Sequence, residues 1–290
     1  LFGAVKILMS TSPNKFAGSL ANSVQKGFTD GSNYDSYRPN YTDEAANEVK
    51  RMLYSDTQFD SGMTVLELGA GTGKFTQKIT SKLSDTVTYI ATEPMSDFLK
   101  ILKKNCPEVE TKQCATEKLP IDDGSIKSIV AAQSFHWFST KTSLDEMHRV
   151  LAENGNVGMV LLWNFNDRNV DWINQLLNRI DKNRTDPCRY HGKEWKTAID
   201  AHPGFMFVEQ KITQGQVFKG DVEFMLRHCS THSGLQKLEE KDKETELDEI
   251  QVDTAVMMSV VEESVRTTEV VVSESAVVLL TDEVGAAELM

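Results

Sequence analysis

The sequence Val65-Leu-Glu-Leu-Gly-Ala-Gly-Thr-Gly-Lys-Phe75 joins a short apolar run to three glycines and then to a polar, amphipathic segment. The apolar run, Met63 to Leu68, predicts a buried strand that ends in a glycine-rich turn. Phe75, Ile79 and Leu83 recur at a spacing of four, which predicts a helix with one buried face after the turn. Glycines at this junction let the backbone approach a ligand closely, and amide groups at the start of a helix favour polar or anionic groups.

Further apolar runs alternate with helical patterns, which is typical of β-α units stacked around a parallel sheet. The expected strands are residues 63–68, 86–92, 109–114, 126–133, 156–163, 205–212 and 216–218, the last two as an antiparallel pair. The predicted fold class is α/β: a Rossmann-like three-layer sandwich around a seven-stranded, mostly parallel sheet with an antiparallel last strand.

Charge divides the chain into a neutral body and an acidic end. Residues 1–238 carry 28 basic and 28 acidic side chains, whereas residues 239–290 carry 3 and 15, so the whole net charge of −12 lies in the latter. Phe224 is the last aromatic residue. We therefore expect a flexible leader over residues 1–30, a domain over residues 31–222, and an acidic, aromatic-poor extension over residues 223–290 that is a possible protein-binding arm.

Composition also excludes several classes of function. Neither part of the chain has a basic footprint for nucleic acid, and no apolar run is long enough to span a bilayer. The four cysteines are widely spaced and form no CxxC pair, which argues against a metal site or a disulfide framework and favours a reducing, cytoplasmic location. Asp186-Pro187-Cys188 does not follow the fourth strand, so it does not match the catalytic Pro-Cys of cytosine methylation.

The glycine turn matches neither of two common nucleotide-binding patterns. A phosphate-binding loop needs glycine and Ser/Thr where this chain has Leu68 and Phe75, and a dinucleotide fingerprint needs glycine where it has Lys74. Glu67 would repel a pyrophosphate but could hold a cationic amino group. Glu93, 20 residues after Gly73, ends the second strand, where an acid can accept both hydroxyls of a ribose. S-adenosylmethionine fits these groups; the alternative is a glycine turn with two incidental acids.

Five stretches together carry a family resemblance: Glu67-Leu-Gly-Ala-Gly-Thr-Gly73, Glu93-Pro94, Cys114-Ala-Thr-Glu-Lys-Leu-Pro120 with Asp122-Asp123, Gln133-Ser-Phe-His-Trp-Phe138, and Arg149-Val-Leu-Ala-Glu-Asn-Gly155. In them the chain resembles the class I S-adenosylmethionine-dependent methyltransferases over about residues 31–220. The segment Tyr34-Asp-Ser-Tyr-Arg-Pro-Asn-Tyr41 and the His-Trp-Phe triplet resemble the trans-aconitate methyltransferase-like branch. Lys127 and Asn154-Gly155 depart from the family pattern, but both lie away from the expected cofactor pocket.

The resemblance implies roles for individual residues. The glycine loop would hold the methionine moiety and ribose, Glu93 the ribose hydroxyls, residues 114–116 the adenine, and Gln133 the methionine part. The implied cofactor-binding residues are Tyr41, Glu67, Gly69, Ala70, Gly71, Thr72, Gly73, Glu93, Pro94, Cys114, Ala115, Thr116 and Gln133.

Candidate catalytic residues follow the fourth strand or precede the first. His136 could remove a proton from an acceptor hydroxyl, or it could pack within an aromatic cluster. Trp137 could line the pocket and attract the sulfonium by a cation–π contact. Tyr34 and Arg38 lie in a segment that could cover the cofactor, with Arg38 either binding a carboxylate or making a structural salt bridge. Trp163 could border the substrate or belong to the core.

The predicted function is methyl transfer from S-adenosylmethionine to a small molecule, as O-methylation of a carboxylate or a hydroxyl. The alternative is a catalytically idle methyltransferase-like module that binds a protein partner through the acidic extension. An NAD-dependent dehydrogenase would share the fold, but Lys74 and Glu67 contradict it.

Overall fold

The computed structural model describes residues 31–54, 62–152, 158–166, 168–182, 194–215, 217–219, 221–262, 269–271 and 274–281. The expected leader, residues 1–30, and Asp186–Cys188 lie outside the described residues.

Five parallel strands form the centre of the sheet, in the order β3-β2-β1-β4-β5. They are β1 (Thr64–Leu68), β2 (Thr88–Thr92), β3 (Glu110–Lys112), β4 (Ser128–Ala132) and β5 (Met159–Phe165). Their order reverses between β1 and β4, so the glycine turn after β1 lies at the point where open α/β sheets bind ligands. The Rossmann-like α/β prediction is confirmed.

Ten helices are described around the sheet. They are α1 (Gly31–Tyr37), α2 (Asp43–Leu53), α3 (Lys74–Thr80), α4 (Ser96–Asn105), α5 (Lys141–Val150), α6 (Asp171–Lys182), α7 (Glu194–Asp200), α8 (Val222–Ser230), α9 (Ser233–Gln236) and α10 (Glu240–Glu262). Among the described helices, none combines the length and the apolar composition that crossing a membrane requires.

The helices cover both faces of the sheet. Ile129 and Ala131 of β4 pack in one core, with Leu144 and Met147 of α5, while Val130 and Ala132 pack in the other with α2 and α3. Successive residues of a strand point to opposite faces, so a continuous apolar run is required when both faces are buried. This arrangement accounts for the apolar runs of the sequence and gives the three layers.

The far side of the sheet differs from the prediction. Residues 205–212 and 216–218 were expected to pair antiparallel as the last strands of one sheet within residues 63–220, and this pairing was wrong. β6 (Met206–Gln214) and β7 (Val217–Lys219) do not pair with each other. β9 (Glu274–Thr281) instead lies antiparallel between β5 and β6, and β7 pairs with β8 (Glu269–Val271) in a separate two-stranded sheet. The eight-residue β9 offers β6 a longer hydrogen-bonded ladder than the three-residue β7 can.

The predicted boundary at residue 222 is corrected by the same strand. β9 belongs to the stretch expected as an extension over residues 223–290, yet it pairs with β5 along residues 159–165. Within that stretch, α8, α9 and the start of α10 share a small core with α6, formed by Ile180, Met225, Cys229, Leu235 and Ile250. The acidic end therefore contributes to the fold of the domain and is not separate from it.

Candidate active site

The glycine turn between β1 and α3 has three residues with left-handed backbone. The φ angles are +66° at Gly69, +61° at Gly71 and +89° at Gly73, a region that side chains other than glycine rarely adopt. The Ala70 amide donates to the Thr92 carbonyl oxygen at 2.9 Å, which fixes the turn against the end of β2. The backbone conformation alone therefore favours glycine at all three positions.

The space around the three glycines differs. A Cβ at Gly69 would lie 2.8 Å from the Ser134 Cβ, and a Cβ at Gly73 would lie 2.8 Å from the Leu102 Cδ1. A Cβ at Gly71 would meet no atom within 4 Å. Gly69 and Gly73 are thus constrained by protein packing, whereas Gly71 faces a space that a ligand can fill.

Glu93 holds this turn from the end of β2. Its Oε2 accepts a hydrogen bond from the Gly71 amide at 2.9 Å, and its Oε1 accepts one from the Met95 amide at 2.9 Å. Burial raises the pKa of Glu93 to about 7, although the two amide bonds act in the opposite direction. A carboxylate oxygen can accept more than one hydrogen bond, so both oxygens keep the capacity to bind a pair of ribose hydroxyls.

Glu67 does not take the position expected of it. Its side chain is buried, and its Oε2 accepts hydrogen bonds from the Thr76 hydroxyl at 2.6 Å and the Tyr89 hydroxyl at 3.0 Å. Burial raises the pKa of Glu67 to about 7, with a smaller contribution from the charge of Glu93. These contacts connect β1 to α3 and β2, so the observed carboxylate supports the sheet beneath the turn and does not act as a surface acid.

The loops after β2 and β3 form the side of the cleft expected for adenine. Pro94 and Ala115 are exposed, and the Gln113 amide nitrogen joins the two loops by donating to the Pro94 carbonyl oxygen at 3.1 Å. Thr116 is buried and shares a hydrogen bond with Ser143 at 3.1 Å. Cys114 is half-buried, and this burial raises the pKa of its thiol. An adenine here would meet Ala115 and the backbone, while Thr116 supports the loop from behind.

Gln133 ends β4 in a strained conformation. Its φ is +56°, the single positive φ of a residue other than glycine among those that the structure describes. The Gln133 amide donates to the Leu162 carbonyl oxygen at 2.7 Å, and its side-chain nitrogen donates to the Asn164 carbonyl oxygen. Left-handed backbone at such a residue costs of order 1–3 kcal/mol and is concentrated at ligand-binding sites.

The segment before β1 lies against the glycine turn. The Thr72 hydroxyl of the turn donates to the Asp35 Oδ1 of α1 at 2.6 Å, and the Tyr34 ring lies 5.3 Å from the Phe98 ring of α4. Tyr41 is buried with its ring 5.0 Å from the Phe75 ring, and this burial raises its pKa well above the usual value. Asp35 was missed as a site residue, because only the fold brings it to the turn.

Arg38 contacts the helices that follow the sheet. Its Nη2 donates to the Thr231 carbonyl oxygen at 2.8 Å, and its guanidinium lies 5.3 Å from the centroid of the Tyr34 ring. The Nδ1 of His228 bonds the nearby Tyr37 carbonyl oxygen at 2.8 Å. Arg38 therefore joins the covering segment to the C-terminal helices through a backbone carbonyl, an option that neither sequence interpretation included.

A 3-10 turn, Phe135–Trp137, follows β4, and the residues on either side of it, Ser134 and Phe138, approach Gly69 of the glycine turn. The Ser134 hydroxyl before it donates to the Leu68 carbonyl oxygen at 2.7 Å. His136 and Trp137 are half-buried, with their ring centroids 5.1 Å apart. The indole nitrogen of Trp163 on β5 donates to the Nδ1 of His136 at 3.3 Å. His136 and Trp137 thus follow β4 between two residues, Ser134 and Phe138, that reach the glycine turn.

A lysine missed in the sequence lies next to these aromatic rings. The Nζ of Lys237 is 5.8 Å from the centroid of the Trp137 ring, within the range of a cation–π contact. No group of three or more potential metal ligands occurs among the described residues.

Comparisons with known proteins agree with this geometry. A family model described as a methyltransferase domain matches residues 65–155. An uncharacterized methyltransferase of Schizosaccharomyces pombe is 32% identical over 228 residues, covering 77% of this chain and 85% of the relative. An uncharacterized methyltransferase of Mycobacterium tuberculosis is 31% identical over 156 residues, covering 54% of this chain and 58% of the relative.

Solved structures show the same fold. A putative methyltransferase from an antibiotic biosynthesis pathway of Anabaena variabilis superposes with a TM-score of 0.55 at 15% identity, covering 82% of this chain and 96% of that chain. The open space at Gly71 can hold the part of S-adenosylmethionine that lies against the backbone of the turn. The Glu93 carboxylate can still accept hydrogen bonds from the ribose hydroxyls. The sequence relatives, the fold and the cofactor turn together establish that the chain belongs to the class I S-adenosylmethionine-dependent methyltransferases.

Proposed function

We propose that this methyltransferase O-methylates a small molecule at a carboxylate or a hydroxyl group. The observation that carries the proposal is the contact of Ser134 and Phe138, which flank His136 and Trp137, with the glycine turn and the strand end before it. Ser134 bonds the Leu68 carbonyl oxygen, and a Cβ at Gly69 would lie 3.4 Å from the Phe138 ring. A half-buried imidazole and indole beside the cofactor cleft can hold and orient an oxygen acceptor while limiting access of water.

The cofactor would be held by groups that surround the open space at Gly71. The backbone of Gly71, the carboxylate of Glu93, the loop at residues 114–116 and the strained end of β4 at Gln133 are the proposed contacts. When bound, S-adenosylmethionine supplies an electrophilic methyl group on a sulfonium sulfur. Glu67 would act indirectly, since it orders the strand and helix on either side of the turn.

A small acceptor is favoured over a macromolecule by two features of the described residues. The segment with Tyr34 and Arg38 packs over the cofactor turn and joins the C-terminal helices, which encloses that side of the cleft. Residues 1–238 have no net charge, so their composition gives no excess of basic side chains for binding a nucleic acid backbone. The Tyr34–Tyr41 segment and the His-Trp-Phe triplet support an assignment to the trans-aconitate methyltransferase-like branch.

The acidic end and the cysteines bear on the partners and the location of the protein. We do not propose an idle binding module with a protein partner on the acidic end, because β9 from this part of the chain pairs within the main sheet. The described cysteines, Cys106, Cys114 and Cys229, are free thiols, and this supports a reducing compartment such as the cytoplasm.

One experiment tests the activity directly. The protein is incubated with methyl-labelled S-adenosylmethionine and a metabolite extract, and the labelled product is identified by mass spectrometry. We expect one dominant small product that carries the label on oxygen. Label on nitrogen or carbon, or label confined to macromolecules, would contradict the proposal.

A control separates cofactor binding from acceptor choice. Isothermal titration with S-adenosylmethionine is carried out on the wild type and on Glu93→Ala. The wild type is expected to bind and the variant to bind more weakly, whatever the acceptor is.

A further inference from the structure

Trp163 connects the core to the proposed acceptor site. It lies on β5, is 2% exposed, and stacks at a centroid distance of 4.8 Å on Trp195 of α7. Its indole nitrogen reaches the Nδ1 of His136 at 3.3 Å. A buried, stacked indole has little freedom to turn, so it presents its N–H group to His136 from a fixed direction.

The chemistry of the two rings fixes the position of a proton. An indole nitrogen can only donate a hydrogen bond, so the Nδ1 of His136 must be the acceptor. A neutral imidazole carries one hydrogen, and this hydrogen is then on Nε2. In this tautomer Nε2 donates a hydrogen bond and has no lone pair with which to remove a proton.

We infer that Trp163 is a positioning residue that holds His136 in the Nε2–H tautomer, and that His136 binds a carboxylate acceptor by donating to it. This inference deepens the proposed function and rests on it, since it selects the carboxylate over the hydroxyl. His136 is then an orienting donor and not the general base that the sequence suggested.

The two acceptor classes differ in their need for a base. A carboxylate oxygen forms the new bond to the methyl carbon while the carbon–sulfur bond breaks and its electron pair remains on sulfur. The carboxylate loses its negative charge, the sulfonium loses its positive charge, and no proton leaves. A hydroxyl acceptor must in addition give up its proton to a base. A histidine fixed as a donor suits the first reaction.

A basic side chain lies beside the aromatic neighbour of His136. The Nζ of Lys237 lies 5.8 Å from the centroid of the Trp137 ring, and the ring of Trp137 is 5.1 Å from that of His136.

The tautomer can be measured without cofactor or acceptor. Long-range proton–nitrogen NMR correlation distinguishes protonated from bare imidazole nitrogens, and the spectrum of His136→Gln identifies the signals of His136. We expect Nε2–H and bare Nδ1 in the wild type and a mixture of tautomers in Trp163→Phe. Trp195→Phe is the matched control, since it removes the stacked neighbour but keeps the Trp163 N–H group. A wild-type spectrum with Nδ1–H would overturn the inference, and this measurement does not depend on whether any variant folds. A Trp163→Phe spectrum identical to that of the wild type would also overturn it.

Activity then separates a donor from a base. The assay uses labelled S-adenosylmethionine with the acidic fraction of a metabolite extract. Loss of a hydrogen bond to a charged group corresponds to about 10- to 100-fold in rate, so we expect that loss in His136→Ala and substantial rescue in His136→Gln, whose amide can still donate. Equal loss in both variants would contradict the donor role.

The product reports on the acceptor class. A methyl ester is cleaved by mild base, whereas a methyl ether survives, so a stable ether would overturn the carboxylate assignment. If the wild type transfers no label at all, the proposed function fails, while the NMR result still stands on its own.

Discussion

Replacing Gly71 with alanine should weaken cofactor binding far more than it weakens the fold. Gly124 provides the matched control, because its φ of +62° is nearly the same as the +61° of Gly71. A Cβ at Gly124 would also have space, since the nearest atom is the Leu151 carbonyl oxygen at 4.0 Å. Gly124 precedes β4 and so lies at the amino edge of the sheet, while Gly71 follows β1 at the carboxyl edge. The two substitutions share the strain and differ in the space that the methyl group enters.

The strain is the same for both variants. An L-residue in left-handed backbone costs roughly 1–2 kcal/mol, so both should lose about that much free energy of unfolding. For a domain of this size, each kcal/mol lowers the Tm by roughly 2–4 °C. Only at Gly71 does the added methyl group also occupy the volume that a ligand needs. Overpacking of this kind costs typically about 1–3 kcal/mol, which corresponds to about 5- to 150-fold weaker binding.

The measurement combines thermal unfolding without ligand and isothermal titration with S-adenosylmethionine. We expect equal shifts in Tm for Gly71→Ala and Gly124→Ala, with wild-type affinity in the latter and reduced affinity in the former. Wild-type affinity in Gly71→Ala would refute the assignment of the open space to the cofactor. Equal loss of affinity in both variants would show that the effect is general strain.

Other parts of the cleft give further predictions. Because burial raises the pKa of Glu93 to about 7, the carboxylate becomes protonated as the pH falls through 7, and cofactor affinity measured by titration should fall with it. Glu93→Gln should bind weakly at every pH and lose most of this dependence; a wild-type affinity independent of pH between 6 and 8 would contradict the role of Glu93. Gly69→Ala should unfold at a lower temperature than Gly71→Ala, because its methyl group would lie 2.8 Å from the Ser134 Cβ, and Gly69→Ala combined with Ser134→Gly should recover part of the difference. Asp35→Ala removes the acceptor of the 2.6 Å hydrogen bond from Thr72, so proteolysis near α1 in the presence of cofactor should become faster; an unchanged cleavage pattern would argue against α1 as a cover.

The cofactor turn and the central strands could be predicted because their signals are local. Three glycines after an apolar run, and an acid 20 residues later at the end of the next strand, are visible without any alignment. The structure brings Glu93 to the turn, as expected, with its Oε2 2.9 Å from the Gly71 amide. The glycine turn and Glu93 follow neighbouring strands that are joined by one βαβ connection. Their proximity could therefore be predicted without any contact between distant parts of the sequence.

The parts that could not be predicted depend on residues far apart in the sequence. The partners of Glu67 lie 9 and 22 residues away, and nothing in the sequence indicates that their hydroxyls point toward it. The contact between Arg38 and the Thr231 carbonyl oxygen spans 193 residues and involves a backbone atom, which leaves no trace in side-chain patterns. The tautomer of His136 depends on Trp163 in the same way.

The acidic end shows how composition can mislead. Its charge and lack of aromatics indicated a separate extension, yet the run Val277-Val-Leu-Leu280 has the β-branched and aliphatic residues of a buried strand. Charge averaged over residues 239–290 hid this run of four residues. Reading apolar runs before net charge would have indicated a strand there, although not its partner.

The position of β9 has a consequence for biosynthesis. A ribosome makes the chain from its N-terminus, so β5 and β6 both emerge well before the strand that lies between them. Until residue 281 has been made, each of the two strands has an unpaired edge, and such edges are sites of aggregation. A nascent or truncated chain that ends before β9 would therefore contain every residue of the glycine turn but leave the edge of β5 unpaired, the kind of exposed edge that makes incomplete chains prone to aggregate.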